Sequence, residues 1–454
     1  MFTHNHFGMR FIADLHIHSL YSRATSKASH IASLAAWARI KGVHVLGTGD
    51  FTHPLWFQQL KETLQPAERG LFRLKNRVKR DFSSLMQSDI VTEPIVTRFV
   101  LTAEISSIYK RGGKVRKVHN ILLVPDFASA ERVNAVLSSI GNIASDGRPM
   151  LGLDSRDLLE ILLENAPDGF LIPAHIWTPW FSLFGSKSGF DRLEDCFGDL
   201  SHHIFALETG LSSDPQMNRL ISSLDQYTLI SNSDCHSPSK LCREANVFET
   251  EFNFYAMKEA IKNPCDTAGN QCFVGTVEFY PEEGKYYHDG HRKCGFCCDP
   301  ATSQEISGRC PECGKRITIG VLSRVMELAD RRTPVFPEGS PDVYSLIPLP
   351  EILSEIAGVG PNSKTVTLQY VKCIEQFGSE LNVLLHTPIQ DLYDYYSPLL
   401  AEAVDRVRKG QVIRQAGYDG EFGAISVFRP GEKETLAGQD KRLLSPVKNK
   451  VTPS

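Results

Sequence analysis

The feature that most constrains the fold is an alternation of apolar runs with helix-like stretches up to about residue 280. The apolar runs cover residues 10–15, 43–48, 97–102, 118–124, 169–173, 203–207 and 227–231. Stretches with a helical period lie between them, at 31–41, 129–140, 155–165 and 214–224. Strands that alternate with helices predict parallel βα units, arranged either as a doubly wound sheet or as a barrel.

Side chains that bind metal ions stand at the ends of these runs. The first run ends in His16 and His18, which point to the same face if the segment is a strand. Later runs carry such residues at or near their ends: Asp50, His53, Glu104, His119, His175, Glu208, Asp234 and His236. Single residues of this kind are often buried core histidines or helix caps, and Asp214 before Pro215 is typical of a cap. Strand ends that converge on one rim of a barrel favour a shared metal site instead.

The ligand set mixes imidazoles and carboxylates and contains no cysteine. That mixture suits Zn²⁺, Mn²⁺ or Fe, and a carboxylate can bridge two ions. A cluster of such ions lowers the pKa of bound water and stabilises the attacking and leaving oxygens of a displacement at phosphorus. The set therefore predicts hydrolysis of a phosphate ester.

The same residues resemble the motifs of the polymerase-and-histidinol-phosphatase (PHP) superfamily. The matching strings are Asp14-Leu-His-Ile-His-Ser19, Thr48-Gly-Asp50, Glu104, His119, Pro173-Ala-His175 and Ser233-Asp-Cys-His-Ser-Pro238. Longer strings are similar to the endonuclease Q family along almost the whole chain. They cover residues 21–27, 174–185 and 208–214.

This resemblance implies an α/β fold, a distorted (β/α)7 PHP barrel that holds a cluster of ions. It implies one ion bound by His16, His18, Glu104 and Asp234, and a second bound by Glu104, His119 and His175. His236 and Asp50 would complete a third, weaker site, and Asp234, Glu104 and His236 would be the catalytic residues. The chain departs from the superfamily at Ala24, where many members have a histidine, and around Gly49-Asp50. Both departures fall on the third site.

Four cysteines in two C-x-x-C pairs predict a structural zinc site. The pairs are Cys294/Cys297 and Cys310/Cys313, with twelve residues between them. This spacing gives the tetrahedral thiolate geometry of a zinc ribbon. Cys298 is a possible substitute, but the C-x-x-C register favours Cys297.

The residues after the ribbon predict a mostly helical domain. Residues 322–332 are typical of a basic amphipathic helix, and residues 350–361 resemble a helix-hairpin-helix with Gly358 and Gly360 in its turn. A plain αα-hairpin explains the latter pattern equally well. We therefore expect four regions: the barrel at 1–285, the ribbon at 286–320, the helical domain at 321–430, and a disordered tail at 431–454.

The formal net charge of −4 does not indicate a nucleic-acid binder, but the basic residues are clustered. One cluster lies at 69–80, and another surrounds Gly112-Gly113, which predicts a basic hairpin tip. Next to an anionic site such clusters suit a phosphate backbone, although most are solvated faces. Our candidate substrate or DNA contacts are Arg23, Lys27, Trp177, Trp180, Phe184, Glu208, Gly358 and Gly360.

The N-terminal segment lacks the pattern of a secretory signal, and no apolar run approaches the ~20 residues that span a bilayer. Eleven cysteines without such a signal fit a reducing compartment. We therefore expect a cytoplasmic protein that does not enter a membrane.

The resemblance implies a DNA-repair endonuclease that hydrolyses the phosphodiester 5′ to uracil, hypoxanthine or xanthine, and to abasic sites. Zinc is expected in the barrel and the ribbon, with Mg²⁺ or Mn²⁺ supporting activity. One alternative is a small-molecule phosphoesterase of the histidinol-phosphatase type, against which the ribbon and the basic C-terminal region argue. Another is a DNA-binding module with a degenerate barrel, against which the retained ligands argue. Nothing in the sequence indicates a sliding-clamp partner.

Overall fold

The computed structural model describes residues 8–76 and 96–439. Its strands are β1 Met9–Asp14, β2 Val45–Gly47, β3 Leu64–Pro66, β4 Phe72–Leu74, β5 Arg98–Arg111, β6 Lys114–Val124, β7 Met150–Leu151, β8 Phe170–Pro173, β9 Ala206–Glu208, β10 Thr228–Ile230, β11 Ala245–Thr250, β12 Phe273–Glu278, β13 Asp289–His291, β14 Phe296–Cys298, β15 Asp342–Ser345, β16 Ile413–Gln415 and β17 Ala424–Ser426.

The helices are α1 Ile31–Lys41, α2 Pro54–Thr63, α3 Phe127–Ile140, α4 Ser155–Asn165, α5 Leu193–Phe197, α6 Pro215–Asn218, α7 Phe254–Lys262, α8 Pro300–Glu305, α9 Val321–Leu328, α10 Leu349–Ala357, α11 Lys364–Phe377, α12 Ile389–Tyr395, α13 Pro398–Arg408 and α14 Glu432–Gln439. Several begin with a side chain that accepts from a backbone N–H of the first turn, which satisfies a donor that has no partner within the helix. Asp214 caps α6 in this way, because it accepts from the Met217 N–H.

The central sheet is mixed. Its eleven strands follow the order β15-β12-β11-β1-β2-β5-β4-β3, with β6 and β7 also paired to β5 and β8 paired to β6. The pairs β1/β2 and β2/β5 are parallel, as expected, and β9 and β10 pair in parallel in a separate small sheet. The predicted α/β class is confirmed.

The predicted parallel units form only part of the sheet, and the predicted hairpin tip at Gly112-Gly113 is confirmed. β5 and β6 form a long antiparallel hairpin around Gly112-Gly113, and β6 pairs with β8 in antiparallel fashion. Both turn glycines have positive φ, at 58° and 74°, which a two-residue hairpin turn favours. Because the strand does not stop at Glu104, this residue lies within β5.

The C-terminal helices share one hydrophobic core with the barrel residues. Arg324 of α9 is buried and donates to the carbonyls of Phe184 and Phe190, so this helix is fastened to the loop that follows β8. α9 ends at Leu328, four residues before the predicted end at Arg332. Side chains on the two sides of the predicted domain boundary at residue 321 therefore pack against each other.

The first part of the predicted tail forms a helix. α14 occupies residues that were assigned to the tail, and Arg406 of α13 holds it through Glu432 at 2.8 Å. Residues 440–454 lie outside the described part, as does part of the basic cluster, Arg77, Lys79 and Arg80.

Across residues 8–76 and 96–439, none of the helices has the length and apolar character needed to cross a membrane.

Candidate metal centre

One centre gathers residues from strands that are far apart in the sequence. Its first ligand group consists of His16, His18, Glu104 and Asp234, whose ligand atoms all lie within 4.8 Å of one another. His18 Nε2 is 3.1 Å from both Glu104 Oε2 and Asp234 Oδ1. His16 Nε2 is 3.5 Å from Glu104 Oε2 and 3.6 Å from Asp234 Oδ1. The histidines come from the segment just after β1, and Asp234 comes from the segment that follows β10.

The second ligand group shares Glu104 with the first. Glu104 Oε1 lies 2.6 Å from His119 Nδ1 and 3.1 Å from His175 Nε2. Glu104 and His119 lie on paired strands, because β5 and β6 bring Glu104 opposite Ile121 and Ser106 opposite His119. Glu104 therefore offers one carboxylate oxygen to each group, which is the arrangement of a bridging ligand.

The ligand atoms of the first group are arranged to bind an ion and do not satisfy one another by hydrogen bonds. His16 Nε2, His18 Nε2 and Asp234 Oδ1 are buried and have no hydrogen-bond partner among the described residues, although they lie close together. Buried polar atoms without a partner cost free energy, so native proteins rarely keep them. Their nitrogen and oxygen donors suit zinc or a similar divalent cation.

Other side chains orient the histidines from behind. The His16 ring donates through Nδ1 to Glu208, 3.0 Å away, and Glu208 also accepts from the His175 backbone N–H at 2.8 Å. The His18 ring donates through Nδ1 to Asp50 Oδ1 at 3.0 Å. Such carboxylate–histidine pairs fix the tautomer and the ring direction of a ligating imidazole.

These contacts change two predicted roles. The Asp50 carboxylate is occupied by His18, Ser19 and Ser22, and it belongs to neither ligand group. His236 lies at the edge, with its ring centroid 4.6 Å from that of His18, and it also lies outside both groups. His236 Nδ1 is nevertheless 3.8 Å from Asp234 Oδ1, so the third site with Asp50 and His236 stays a prediction. Glu208 is fully buried and supports His16, so its predicted role as a DNA contact is wrong.

Electrostatics in the centre favour bound cations. Burial alone would lower the pKa of His16, but Glu208, Glu104 and Asp234 raise it well above its ordinary value. Burial would raise the pKa of Glu104, but His119, Arg148 and His16 hold it well below its usual range. The Glu104 carboxylate therefore stays charged although it is buried, as a carboxylate ligand of a cation must.

Three residues of the centre have left-handed backbone conformations. The φ angles are 55° at Asp50, 29° at His175 and 44° at Asp234. A non-glycine residue held there costs of order 1–3 kcal/mol and persists only where the surrounding structure enforces it, which is common at functional sites. The sequence gives no sign of this strain.

The ribbon assembles three of its four predicted ligands. Cys294, Cys310 and Cys313 lie together with His291, with their ligand atoms within 4.8 Å of one another. Cys297 lies outside this group, and its Sγ is 3.9 Å from His288 Nδ1. The exchange of Cys297 for His291 goes with the strand register. β13 and β14 pair Gly290 with Cys297, which brings His291 close to the Cys294/Cys297 segment.

Comparison with known proteins identifies the family. The crystal structure of the lesion-specific endonuclease PfuEndoQ from Pyrococcus furiosus matches with a TM-score of 0.78 and 32% identity, over 92% of this chain and 95% of that one. The chain belongs to the endonuclease Q family. A crystal structure of endonuclease Q in complex with a 27-mer duplex that carries an abasic lesion matches with a TM-score of 0.78 and 31% identity, over 94% of this chain and 98% of that one.

Other comparisons cover less of the molecule. A family model described as the MJ0043 C-terminal domain matches residues 348–411. The protein MJ0043 of Methanocaldococcus jannaschii is 34% identical over 266 residues, which are 57% of this chain and 32% of that protein. YqxK of Bacillus subtilis is 35% identical over 263 residues, which are 57% of this chain and 61% of that protein. The chain thus spans less than two thirds of either curated relative. The predicted enzyme class, an endonuclease, agrees with both of these solved structures, which are of endonuclease Q proteins.

In this endonuclease Q member, the predicted aromatic contacts divide into core and surface. Trp177 and Phe184 are buried, and Trp177 donates to Asn218 at 2.8 Å, so these two aromatic residues are core residues and their predicted role as DNA contacts is wrong. Trp180 is 43% exposed and stands edge-to-face with Tyr286. Its loop contacts the centre through Thr178, whose Oγ1 is 3.3 Å from His175 Nδ1.

The remaining predicted contacts lie on the surface. Arg23 and Lys27 are exposed, and Arg23 pairs with Asp146 at 3.2 Å. Gly358 and Gly360 are exposed in the turn between α10 and α11, where Gly358 ends α10 with a φ of 66°. A helix-hairpin-helix and a plain αα-hairpin share this geometry, so the role of the turn stays a prediction.

The sequence interpretation missed Arg148 and the support of the histidines by Glu208. Arg148 Nη1 lies 3.1 Å from Glu104 Oε2, across 44 residues of sequence. The only local signal is Asp146-Gly-Arg-Pro149, which is typical of a turn.

Proposed function

We propose that this protein is a DNA-repair endonuclease that hydrolyses the phosphodiester 5′ to a deaminated base, uracil, hypoxanthine or xanthine, and to an abasic site. The observation that carries the proposal is the pair of ligand groups joined by Glu104. Two adjacent divalent ions are suited to displacement at phosphorus, since they supply Lewis acidity and an activated water. The PHP resemblance and the membership of the endonuclease Q family support the choice of DNA as substrate.

We propose zinc for the barrel centre and the ribbon, and Mg²⁺ or Mn²⁺ as ions that support activity. The residues that would hold the barrel ions are His16, His18, Glu104, His119, His175 and Asp234. The protein positions these ligands through Glu208 and Asp50, which fix two of the imidazoles. In the ribbon, three cysteines and His291 provide a closed set of ligands, as a structural zinc site requires.

The substrate would lie across the loop that follows β8. Trp180 is exposed beside Tyr286. Stacking of an unpaired base on an exposed aromatic ring stabilises binding by ~1–3 kcal/mol per base. An enzyme that reads a damaged base takes it out of the duplex, which leaves neighbouring bases without a stacking partner. We therefore infer that Trp180 contacts the nucleotides around the lesion.

The test uses end-labelled duplexes that carry uracil, hypoxanthine, xanthine, an abasic site or normal bases, with histidinol phosphate as a parallel substrate. Reactions contain Mg²⁺ or Mn²⁺, or chelator, and Asp234→Asn serves as the inactive control. We expect a nick 5′ to each lesion, none in the undamaged duplex, and none with chelator. Release of phosphate without nicking would support a small-molecule phosphoesterase, and lesion binding without turnover would support a DNA-binding module.

A further inference from the structure

Arg148 places a guanidinium on the carboxylate that both ligand groups share. Its Nη1 lies 3.1 Å from Glu104 Oε2, the oxygen that faces His16 and His18. The side chain is 28% exposed, so it connects the buried centre with solvent. No role for this residue follows from the motifs of the sequence.

The loop that carries Arg148 is held firmly. The Arg148 N–H donates to Asp146 Oδ1 at 3.1 Å, and the Gly147 N–H donates to the Tyr21 carbonyl at 3.0 Å. On the other side, the Ser106 N–H donates to the Pro149 carbonyl at 3.0 Å, two residues beyond Glu104 on β5. The backbone that carries Arg148 is therefore fixed relative to the centre by contacts with the segments that carry the ligands, while its side chain stays free to change partner.

We propose that Arg148 binds the scissile phosphate at this centre. If cations were bound in both ligand groups, Glu104 would be one of the residues that hold them, and the nearby positive charge would disfavour the guanidinium at its present place. The fork of Arg148 N–H groups then needs another acceptor, and a guanidinium matches two oxygens of a phosphate group in a bidentate way. Charge develops on those oxygens in the transition state, so a fixed cation there lowers the barrier. The inference rests on the proposed phosphodiester chemistry.

The test compares Arg148→Gln and Arg148→Lys with a matched surface control, Arg192→Gln, whose side chain is 72% exposed. Three quantities are measured on each zinc-loaded protein: the metal content, the affinity for inorganic phosphate by calorimetry, and the kcat and KM for nicking. A generic diester, bis(p-nitrophenyl) phosphate, gives a rate that needs no lesion.

We expect Arg148→Gln to keep its metal, to bind inorganic phosphate at least ~10-fold more weakly, and to lose ~100-fold or more in kcat, as for removal of one preorganised donor. Arg148→Lys keeps a charge beside Glu104 but lacks the planar fork, so we expect an intermediate loss with normal metal content and folding. Arg192→Gln should match the wild type. The proposal is overturned if Arg148→Gln binds phosphate like the wild type, or if both Arg148 variants lose metal, since Arg148 would then be a structural partner of Glu104.

The outcomes separate this inference from the proposed function. If the wild type hydrolyses the generic diester and binds phosphate through Arg148 but does not nick lesions, the role of Arg148 stands and the lesion specificity fails. If the wild type nicks lesions and Arg148→Gln does so equally well, the role of Arg148 fails alone.

Discussion

At the scale of single residues, the centre distinguishes side chains that face the ions from side chains that hold other residues in place. Glu104 and Asp234 point oxygens at the histidine nitrogens of the first group, and Asp234 Oδ1 has no hydrogen-bond partner among the described residues. Asp50 is fully occupied by His18 and two serines. Glu104 and Asp50 are both buried, so burial alone does not separate a ligand from a supporting residue.

Because Asp234 is a ligand and Asp50 is a supporting residue, variants of the two should differ in how their nicking activity depends on the metal concentration. Asp234→Asn replaces a charged ligand oxygen with a neutral amide oxygen, which is a much weaker ligand, and should abolish nicking at every metal concentration. Asp50→Asn leaves the ligands in place but loosens His18, so we expect a 10- to 100-fold loss of metal affinity, which is about the usual cost of losing such a partner, with activity restored by excess metal. Titration of nicking against Mn²⁺, together with the bound metal content, checks both. If excess metal fails to rescue Asp50→Asn, then Asp50 is a ligand, as the PHP resemblance implied.

At the scale of elements, the short loop before β7 packs directly on the partner of His18. A Cβ on Gly147 would lie 2.4 Å from both Asp50 Oδ2 and Ser22 Oγ. Since those atoms are buried and hydrogen-bonded to each other, they have little freedom to move away. The loop therefore needs a residue without a side chain at this position.

We predict that Gly147→Ala disturbs the centre without adding or removing a charge. Overpacking of this kind typically costs ~1–3 kcal/mol, and here the strain falls on Asp50 and so on His18. A lower melting temperature and a weaker metal affinity are both expected. Gly152→Ala is the matched control, because a Cβ there meets no atom within 4 Å. Equal behaviour of the two variants in thermal shift and metal titration would contradict the argument.

The ribbon offers a second test at this scale. Cys313 lies in the ligand group with His291, whereas Cys297 lies beside His288. We expect Cys313→Ser to lose the ribbon zinc and Cys297→Ser to retain it, as measured by zinc content after removal of the barrel ions with a mild chelator. Loss of zinc in Cys297→Ser, with retention in His291→Ala, would favour the four-cysteine set that the spacing predicts.

Elements also show what the sequence can and cannot predict. The period of α1 and the run that precedes His16 are local patterns, so the bounds of that helix and the position of the paired histidines follow from them directly. Glu104 was expected at a strand end and lies inside β5, because the strand continues into a hairpin that antiparallel pairing with β6 extends. The contact of His16 with Glu208 spans 192 residues, and no spacing rule encodes it. Local signals thus identify the ligands, while the residues that orient them emerge only from the packed structure.

At the scale of the whole molecule, a buried ion pair joins the barrel to the C-terminal helices. Lys41 at the end of α1 lies 2.5 Å from Glu380, and both side chains are 5% exposed. Glu380 also accepts from the Tyr370 hydroxyl at 2.6 Å and from the Leu349 N–H at 3.1 Å. The two regions therefore share a satisfied polar contact as well as a hydrophobic core, so they should unfold together.

Removal of Lys41 should show how much the joint stability of the barrel and the C-terminal helices depends on the Lys41–Glu380 ion pair. Lys41→Met leaves the Glu380 carboxylate buried without its cation, which typically costs ~3–5 kcal/mol, so we expect a marked shift of the urea unfolding midpoint to lower concentration. The double variant Lys41→Met/Glu380→Gln removes both charges. The glutamine oxygen keeps an acceptor for the Leu349 N–H, and its amide NH2 donates to the Tyr370 hydroxyl oxygen, so the double variant should recover much of the loss. Lys61→Met serves as the surface control, since Lys61 and Glu131 are 47% and 50% exposed and such pairs contribute at most ~1 kcal/mol. If Lys41→Met unfolds like the control, or if the double variant is no more stable than the single one, the two regions are joined by their apolar contacts alone.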